Sequence, residues 1–156
     1  MRSKLRFALL AEHPELHAQV SQWLREEWPA WYGCGGPGDA QGNVRRYAQA
    51  TEVPLGLLGF MDDQACAFGA LKRDTVPGFE DRGPWLGAGY VLPPLRGQGL
   101  GLELLRALEV QARRLGHEAL FCATATAQAL LERAGYLNVG HSSLGAQAVA
   151  IFQKKL

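Results

Sequence analysis

The chain lacks an excess of charge of either sign. Sixteen Lys and Arg stand against fifteen Asp and Glu, a formal net charge of +1. A nucleic-acid-binding surface carries a basic stripe and a solvating tail carries an acidic one, so the balance argues against both. Long hydrophobic runs are also missing. The longest near the start, Phe7 to Ala11, is broken by Glu12, which is too short for a signal-peptide core or a membrane span. Cysteine is scarce. Cys34, Cys66 and Cys122 are odd in number, widely separated and in no CxxC spacing. This argues for reduced thiols in a cytoplasmic protein and against a disulfide framework. No metal pattern is present either. His13 and His17 are four residues apart, but HPELH lacks the HExxH glutamate position, and no metal is expected.

What the chain has in plenty is glycine. It has 19 in 156 residues, about 12% against roughly 7% in an average protein. Each glycine marks a turn or a backbone that something approaches closely. At 156 residues and 47% hydrophobic, the chain has the length of one domain, 1–156, with a core of its own.

The apolar spacing predicts the elements. Leu5, Phe7 and Leu9 alternate on one face of a strand over residues 4–10. His13-Pro14-Glu15 opens a helix, followed by Leu16, Val20, Trp23 or Leu24, and Trp28 at helical spacing, with Pro29 as the stop. Residues 33–42, GCGGPGDAQG, read as a mobile glycine-rich loop inside the domain. A short helix follows over Val44 to Ala50. Leu55 to Met61 and Ala65 to Leu71 form a hairpin around Asp62-Asp63-Gln64. Residues 74–84 form a loop, and Trp85 to Leu92 a third run stopped by Pro93-Pro94. Gln98 to Leu115 is helical, with Leu104, Leu105, Leu108, Ala112 and Leu115 on one face and Gly116 as its end. Ala119 to Thr124 is a buried strand, Ala127 to Ala134 a short helix and Gln147 to Gln153 the last strand. The class is mixed α/β with one strand–helix–strand crossover.

Residues 96–101, Arg-Gly-Gln-Gly-Leu-Gly, open the long helix directly after a strand and a proline pair. A helix N-terminus presents unpaired amides and partial positive charge. Glycine removes the side chains that would hold a phosphate away from them, and Arg96 adds donors. The segment lacks the GK[ST] of a Walker loop and the GxGxxG spacing of a dinucleotide fold. Gly87 and Gly89 lie inside the preceding strand, where glycine marks a bulge or a close approach by another backbone.

Arg96, Gly99 and Gly101, with Gly97 added, match the spacing [Q/R]xxGx[G/A]. A strand ending Tyr90-Val91-Leu92-Pro93 precedes them, and a later helix ends in Ala134-Gly135-Tyr136. In this the chain resembles the Gcn5-related N-acetyltransferase family over roughly residues 54–140. The resemblance implies an α/β (α+β) fold: a mixed, mostly antiparallel sheet of six to seven strands, about four helices, and splayed fourth and fifth strands. It implies acetyl-CoA as cosubstrate and a small amine or a peptide as acceptor, with no nucleic-acid or membrane partner and a homodimer as one possible assembly. The pyrophosphate would sit on the amides of Gly97, Gln98, Gly99, Leu100 and Gly101 beside Arg96. The pantetheine would pair with backbone at Gly89, Tyr90 and Val91, and the Tyr90 amide would polarise the thioester carbonyl.

The chain departs from the family at two positions. Leu131 stands where many members carry a tyrosine as general acid, and Gly87 where many carry a glutamate as general base. Glu80, with Asp81 beside it, is the substitute base expected in the loop before the cofactor strand. Trp31, Tyr32 and Cys122 are the expected acceptor-pocket residues, with Trp28 expected in the core. Thr124 and Thr126 are expected either to bond to the pantetheine or to cap a helix. The same departures admit a non-catalytic acyl-CoA-binding module as the alternative. A protein holding another nucleotide phosphate on the cradle would need a magnesium ligand set that the sequence does not offer.

Overall fold

Strand β1, Leu5–Leu9, turns Leu5, Phe7 and Leu9 toward one side of the sheet and Ala8 toward the other, as the alternation predicts. The computed structural model to which it belongs describes residues 4–156. Strands β2, Leu55–Met61, and β3, Gln64–Lys72, form the expected hairpin, its turn made by Asp62 and Asp63 with φ of 50° and 67°. Such left-handed pairs match the twist of the strands that they join. Strands β4, Trp85–Val91, β5, Ala119–Thr124, β6, Leu137–Leu144, and β7, Gln147–Lys155, complete one seven-stranded sheet in the order β1-β2-β3-β4-β5-β7-β6. All pairs are antiparallel except β4–β5. Helices α1, His17–Glu27, α2, Pro29–Tyr32, and α3, Ala40–Tyr47, precede β2. Helix α4, Leu100–Arg114, is the crossover from β4 to β5, and α5, Gln128–Arg133, follows β5.

Helix α4 is where the spacing predicts it, because four apolar positions recur on one face. Leu104, Leu105, Leu108 and Ala112 are buried against Leu57, Ala67, Leu71, Leu86 and Leu120 of the sheet. Each leucine contributes about 1.5–3 kcal/mol by leaving water. The helix lies close to β3: a Cβ at Gly69 would meet Leu108 at 2.9 Å. The other face is covered in two parts. Val20, Trp23 and Leu24 of α1 and Val44 and Tyr47 of α3 pack on Leu58, Phe60, Phe68, Ala70 and Tyr90. Farther along, Val76 from the loop 74–84 packs with Trp85, Phe121, Val149 and Ile151.

Four expectations are corrected. The chain after Pro29 continues as α2, since proline at the first helical position needs no amide donor. His13-Pro14-Glu15 belongs to 3-10 turns, and α1 begins only at His17. The segment 33–42 is a loop only to Asp39. Asp39 accepts from the Gly42 amide and starts α3 earlier than expected, and α3 ends at Tyr47. Strand β6 was not expected; with it the sheet has seven strands, and five α-helices flank it where about four were expected. Among the described residues no helix is long and apolar enough to cross a membrane.

Candidate functional site

Strands β4 and β5 touch at a single register position, Trp85 opposite Phe121, where the Phe121 amide donates to the Pro84 carbonyl at 3.1 Å. Beyond it the strands part. Strand β4 also loosens on its other side. Gly87 pairs with Ala70 and Tyr90 with Phe68, so Ala88 and Gly89 together oppose the single residue Gly69. This is a β-bulge, and Ala88 takes the left-handed conformation, φ 54°. Gly89 is exposed, with nothing within 4 Å of a Cβ built there. A stretch of β4 backbone thus leaves the ladder at the place where its parallel neighbour has gone.

Past this opening, the Leu92 amide donates to the Cys66 carbonyl and closes the strand. A 3-10 turn, Pro93–Leu95, leads into the glycines. Gly97 and Gly99 have φ of 80° and 85°, a region that favours glycine. Nothing lies within 4 Å of a Cβ at either position. Gly99 is the N-cap of α4 and no side chain caps it. The amides of Leu100, Gly101 and Leu102 therefore lack the partners that an inner turn would give them. Acidic phosphate oxygens suit such a cradle, and side chains at Gly97 or Gly99 would fill it.

Arg96 is built differently from the expectation. Its Nε donates to the Val91 carbonyl at 2.7 Å and its Nη2 to Glu27 Oε2 at 2.6 Å, with the guanidinium 5.3 Å from the Tyr90 ring centroid. It ties the end of β4 to the end of α1, and its charge is matched by Glu27. The Tyr90 ring stacks on Trp23 at 5.0 Å, and burial raises its phenol above the ordinary range. Tyr90 therefore offers backbone to the opening and packs its ring elsewhere.

The structure does not gather the other expected residues. Glu80 is exposed and accepts from the Gly78 amide of its own loop, and Asp81 lies 3.4 Å from Arg82. Tyr32 packs with α1 and α3, and its hydroxyl accepts from Asn43 Nδ2 at 2.6 Å. Trp31 is 54% exposed and lies against the glycine loop, where a Cβ at Gly38 would stand 2.5 Å from its ring. Trp28 packs on the same cluster as Tyr32. Cys122 lies on the opposite face of the sheet, among residues under α4, and burial pushes its thiol up to about 12. Thr124 Oγ1 accepts from the amides of Thr126 and Ala127 in the turn before α5, whose N-cap is Ala127 and which no side chain caps. Leu131 is buried in the core.

Two residues that sequence reasoning passed over stand near the bulge. A Cβ at Gly87 would lie 2.5 Å from Lys72 Cδ, because the Lys72 side chain runs across it. Lys72 Nζ lies 3.3 Å from Asp74 Oδ2.

The family model described as the acetyltransferase (GNAT) family matches residues 17–136. The chain belongs to that family. No curated protein matches the chain. Solved structures resemble this chain over nearly its whole length. An aminoglycoside 6′-N-acetyltransferase complexed with coenzyme A superposes with TM-score 0.76 at 17% identity, covering 96% of each chain. The aminoglycoside 6′-N-acetyltransferase from Enterococcus faecium gives 0.75 at 17% identity, again covering 96% of each chain. The YncA protein of Salmonella typhimurium, crystallised with acetyl-CoA, gives 0.69 at 17% identity and covers 99% of this chain and 94% of that one. At these identities the likeness is one of fold: a mixed, mostly antiparallel seven-stranded sheet whose one parallel pair, β4–β5, splays apart.

Proposed function

We propose that this acetyltransferase moves the acetyl group of acetyl-CoA directly to the amine of a small molecule or a peptide. The observation that carries the reading is the uncapped run Gly97 to Gly101 after β4, open at Gly97 and Gly99, where nothing lies within 4 Å of a Cβ. Coenzyme A is a pyrophosphate joined to an amide-bearing arm, and the two parts of the site suit the two parts of that molecule. The amides from Gly97 to Gly101 would hold the pyrophosphate. The loosened backbone at Gly89, Tyr90 and Val91 would pair with the arm as an added strand. Val91 would use what the ladder leaves it, since its carbonyl already accepts from Arg96.

At the reacting end, the Tyr90 amide would donate to the thioester oxygen as negative charge grows there. The acceptor ammonium would first lose a proton to water; the neutral amine would then form the new C–N bond as the C–S bond breaks, and the second proton leaving nitrogen would pass through water to the departing thiolate. Arg96 would act on this indirectly, by fixing the end of β4 against α1. Glu80 has no part in the proposal, because its carboxylate is turned onto Gly78.

The test is release of free CoA, read by a thiol reagent, with a panel of amines that includes an aminoglycoside, a polyamine, an arylalkylamine and a peptide. Turnover above background with one of them supports transfer. A second reading rests on Leu131 and Gly87, which bring no acid or base to the positions where many members carry them. It makes the chain a non-catalytic acyl-CoA-binding module, and binding without turnover on any amine would favour it.

A further inference from the structure

We propose that Asp74 is the residue that receives the ammonium group of the acceptor, and that Lys72 positions it by lying across Gly87. The inference rests on the acyl-transfer reading above and names the recognition chemistry of its acceptor side: a cationic amine.

Lys72 ends β3 and pairs in register with Trp85 at the start of β4. Its side chain leans along β4, so that Nζ lies 3.4 Å from where a Cβ of Gly87 would be. Any side chain at Gly87 would displace that stem. Gly87 is the residue immediately before the bulge at Ala88 and Gly89. The ammonium of Lys72 therefore ends beside the stretch of β4 where the thioester is proposed to lie, and Asp74 is held 3.3 Å from it. Both side chains are about one-third exposed, so the pair stands at a surface that a solute reaches.

The other carboxylates near this face are engaged. Glu26 accepts from Gln22, Glu27 from Arg96, Asp39 from the Gly42 amide and Glu80 from the Gly78 amide. An ionised carboxylate accepts about four hydrogen bonds, and among the described residues the Asp74 carboxylate makes one ion pair, with Lys72. Its charge reaches one group on α3 and one on β5. It helps to raise the Tyr47 phenol on α3 and the Cys122 thiol on β5, in each case behind burial as the main cause. An incoming ammonium would find there a carboxylate held by Lys72, whose Nζ lies 3.4 Å from a Cβ built at Gly87, the residue before the bulge.

The experiment titrates the protein, saturated with unreactive CoA, with spermidine, tyramine and kanamycin, and repeats it for Asp74→Asn, Asp74→Glu, Lys72→Met and Lys72→Arg. The expected result is binding of at least one amine, weakened about tenfold or more by Asp74→Asn, a single lost charge-assisted contact. Asp74→Glu should keep part of the affinity. Lys72→Met should weaken binding less than Asp74→Asn, and Lys72→Arg should restore it. In turnover the loss should appear in the KM of the amine, with the KM of acetyl-CoA unmoved. Equal amine binding by wild type and a folded Asp74→Asn protein, or no amine binding by wild type up to about 10 mM, overturns the inference. Failure of the wild type to bind CoA at all overturns the acyl-transfer reading instead.

Discussion

Glu109 of α4 is almost wholly buried, and its carboxylate has two partners. The Tyr136 hydroxyl donates to Oε2 at 2.8 Å, and Lys154 Nζ of β7 donates to both oxygens at 3.2 Å. Lys154 Nζ also donates to the Ala134 carbonyl at 2.8 Å, just past α5. The cluster therefore ties α4, the end of α5 and β7 together. Lys154→Met keeps most of the stem and removes the charge. Breaking a buried pair from one side costs about 3–5 kcal/mol, because the remaining charge is left in the interior. Tyr136 still donates, and Lys154 is 26% exposed, so water reaches part of the site; these lower the expectation to about 2–3 kcal/mol. Tyr136→Phe removes one hydrogen bond to a charged acceptor and leaves the pair, which places it nearer about 1.5 kcal/mol. Replacing both charges with apolar groups, Glu109→Leu with Lys154→Met, should recover part of that loss, since no charge is then left unpaired although the Tyr136 hydroxyl loses its acceptor. Urea unfolding at constant slope reads all four proteins. A loss below about 0.5 kcal/mol for Lys154→Met, or a double variant no more stable than the single one, would refute the reasoning.

Burial raises the ionisation of Cys66, Cys122, Tyr47, Tyr90 and Tyr136 above the ordinary thiol and phenol ranges. Above the ordinary thiol value of 9.0 the unfolded chain binds fewer protons than the folded one, so stability falls as pH rises through that window. The unfolding midpoint should hold steady from about pH 7 to 8 and decline above about 9, and a midpoint flat to about pH 10.5 would contradict this. In the native protein iodoacetamide should label the exposed Cys34 and spare Cys122, whose thiol is pushed up to about 12. Equal labelling rates by peptide mass spectrometry would count against that burial. Asp39→Ala should lower stability by about 1 kcal/mol through loss of the α3 cap; an unchanged midpoint would mean that the cap contributes nothing.

Much of the fold is legible in the sequence where burial follows a simple period. Helix α4 and the β2–β3 hairpin have apolar residues on regular spacings, and their calculated faces are the buried ones. Strand β6 gives no such signal. It is an edge strand, Leu137 and Val139 are exposed, and its Gly, Ser and Asn residues have the composition of a loop. Pro29 and Asp39 were readable as helix starts, but Pro29 followed one helix closely and the glycines around Asp39 masked the second. The cradle was legible because glycine alternation before a helix has a direct chemical meaning. The bulge was only half visible: Gly87 and Gly89 pointed to it, while the residue that adopts the left-handed conformation is Ala88. Lys72 and Asp74 were not legible, since a lysine and an aspartate after an apolar run have the pattern of a solvated strand end. Their meaning comes from the stem crossing Gly87, a contact between neighbouring strands. Arg96 had the right type for an anion site, and only the fold shows Glu27, 69 residues away in sequence, beside it.

The central claim is that the backbone from Gly97 to Gly101 holds acetyl-CoA. An equilibrium titration of acetyl-CoA into wild type and Gly99→Asn tests it most directly. Asparagine tolerates the left-handed backbone that Gly99 adopts, so the fold is kept while a side chain fills the open space. The account predicts wild-type binding with Kd below about 1 mM and at least tenfold weaker binding by the variant. Equal affinity in the two proteins, or no wild-type binding at millimolar acetyl-CoA, would contradict it.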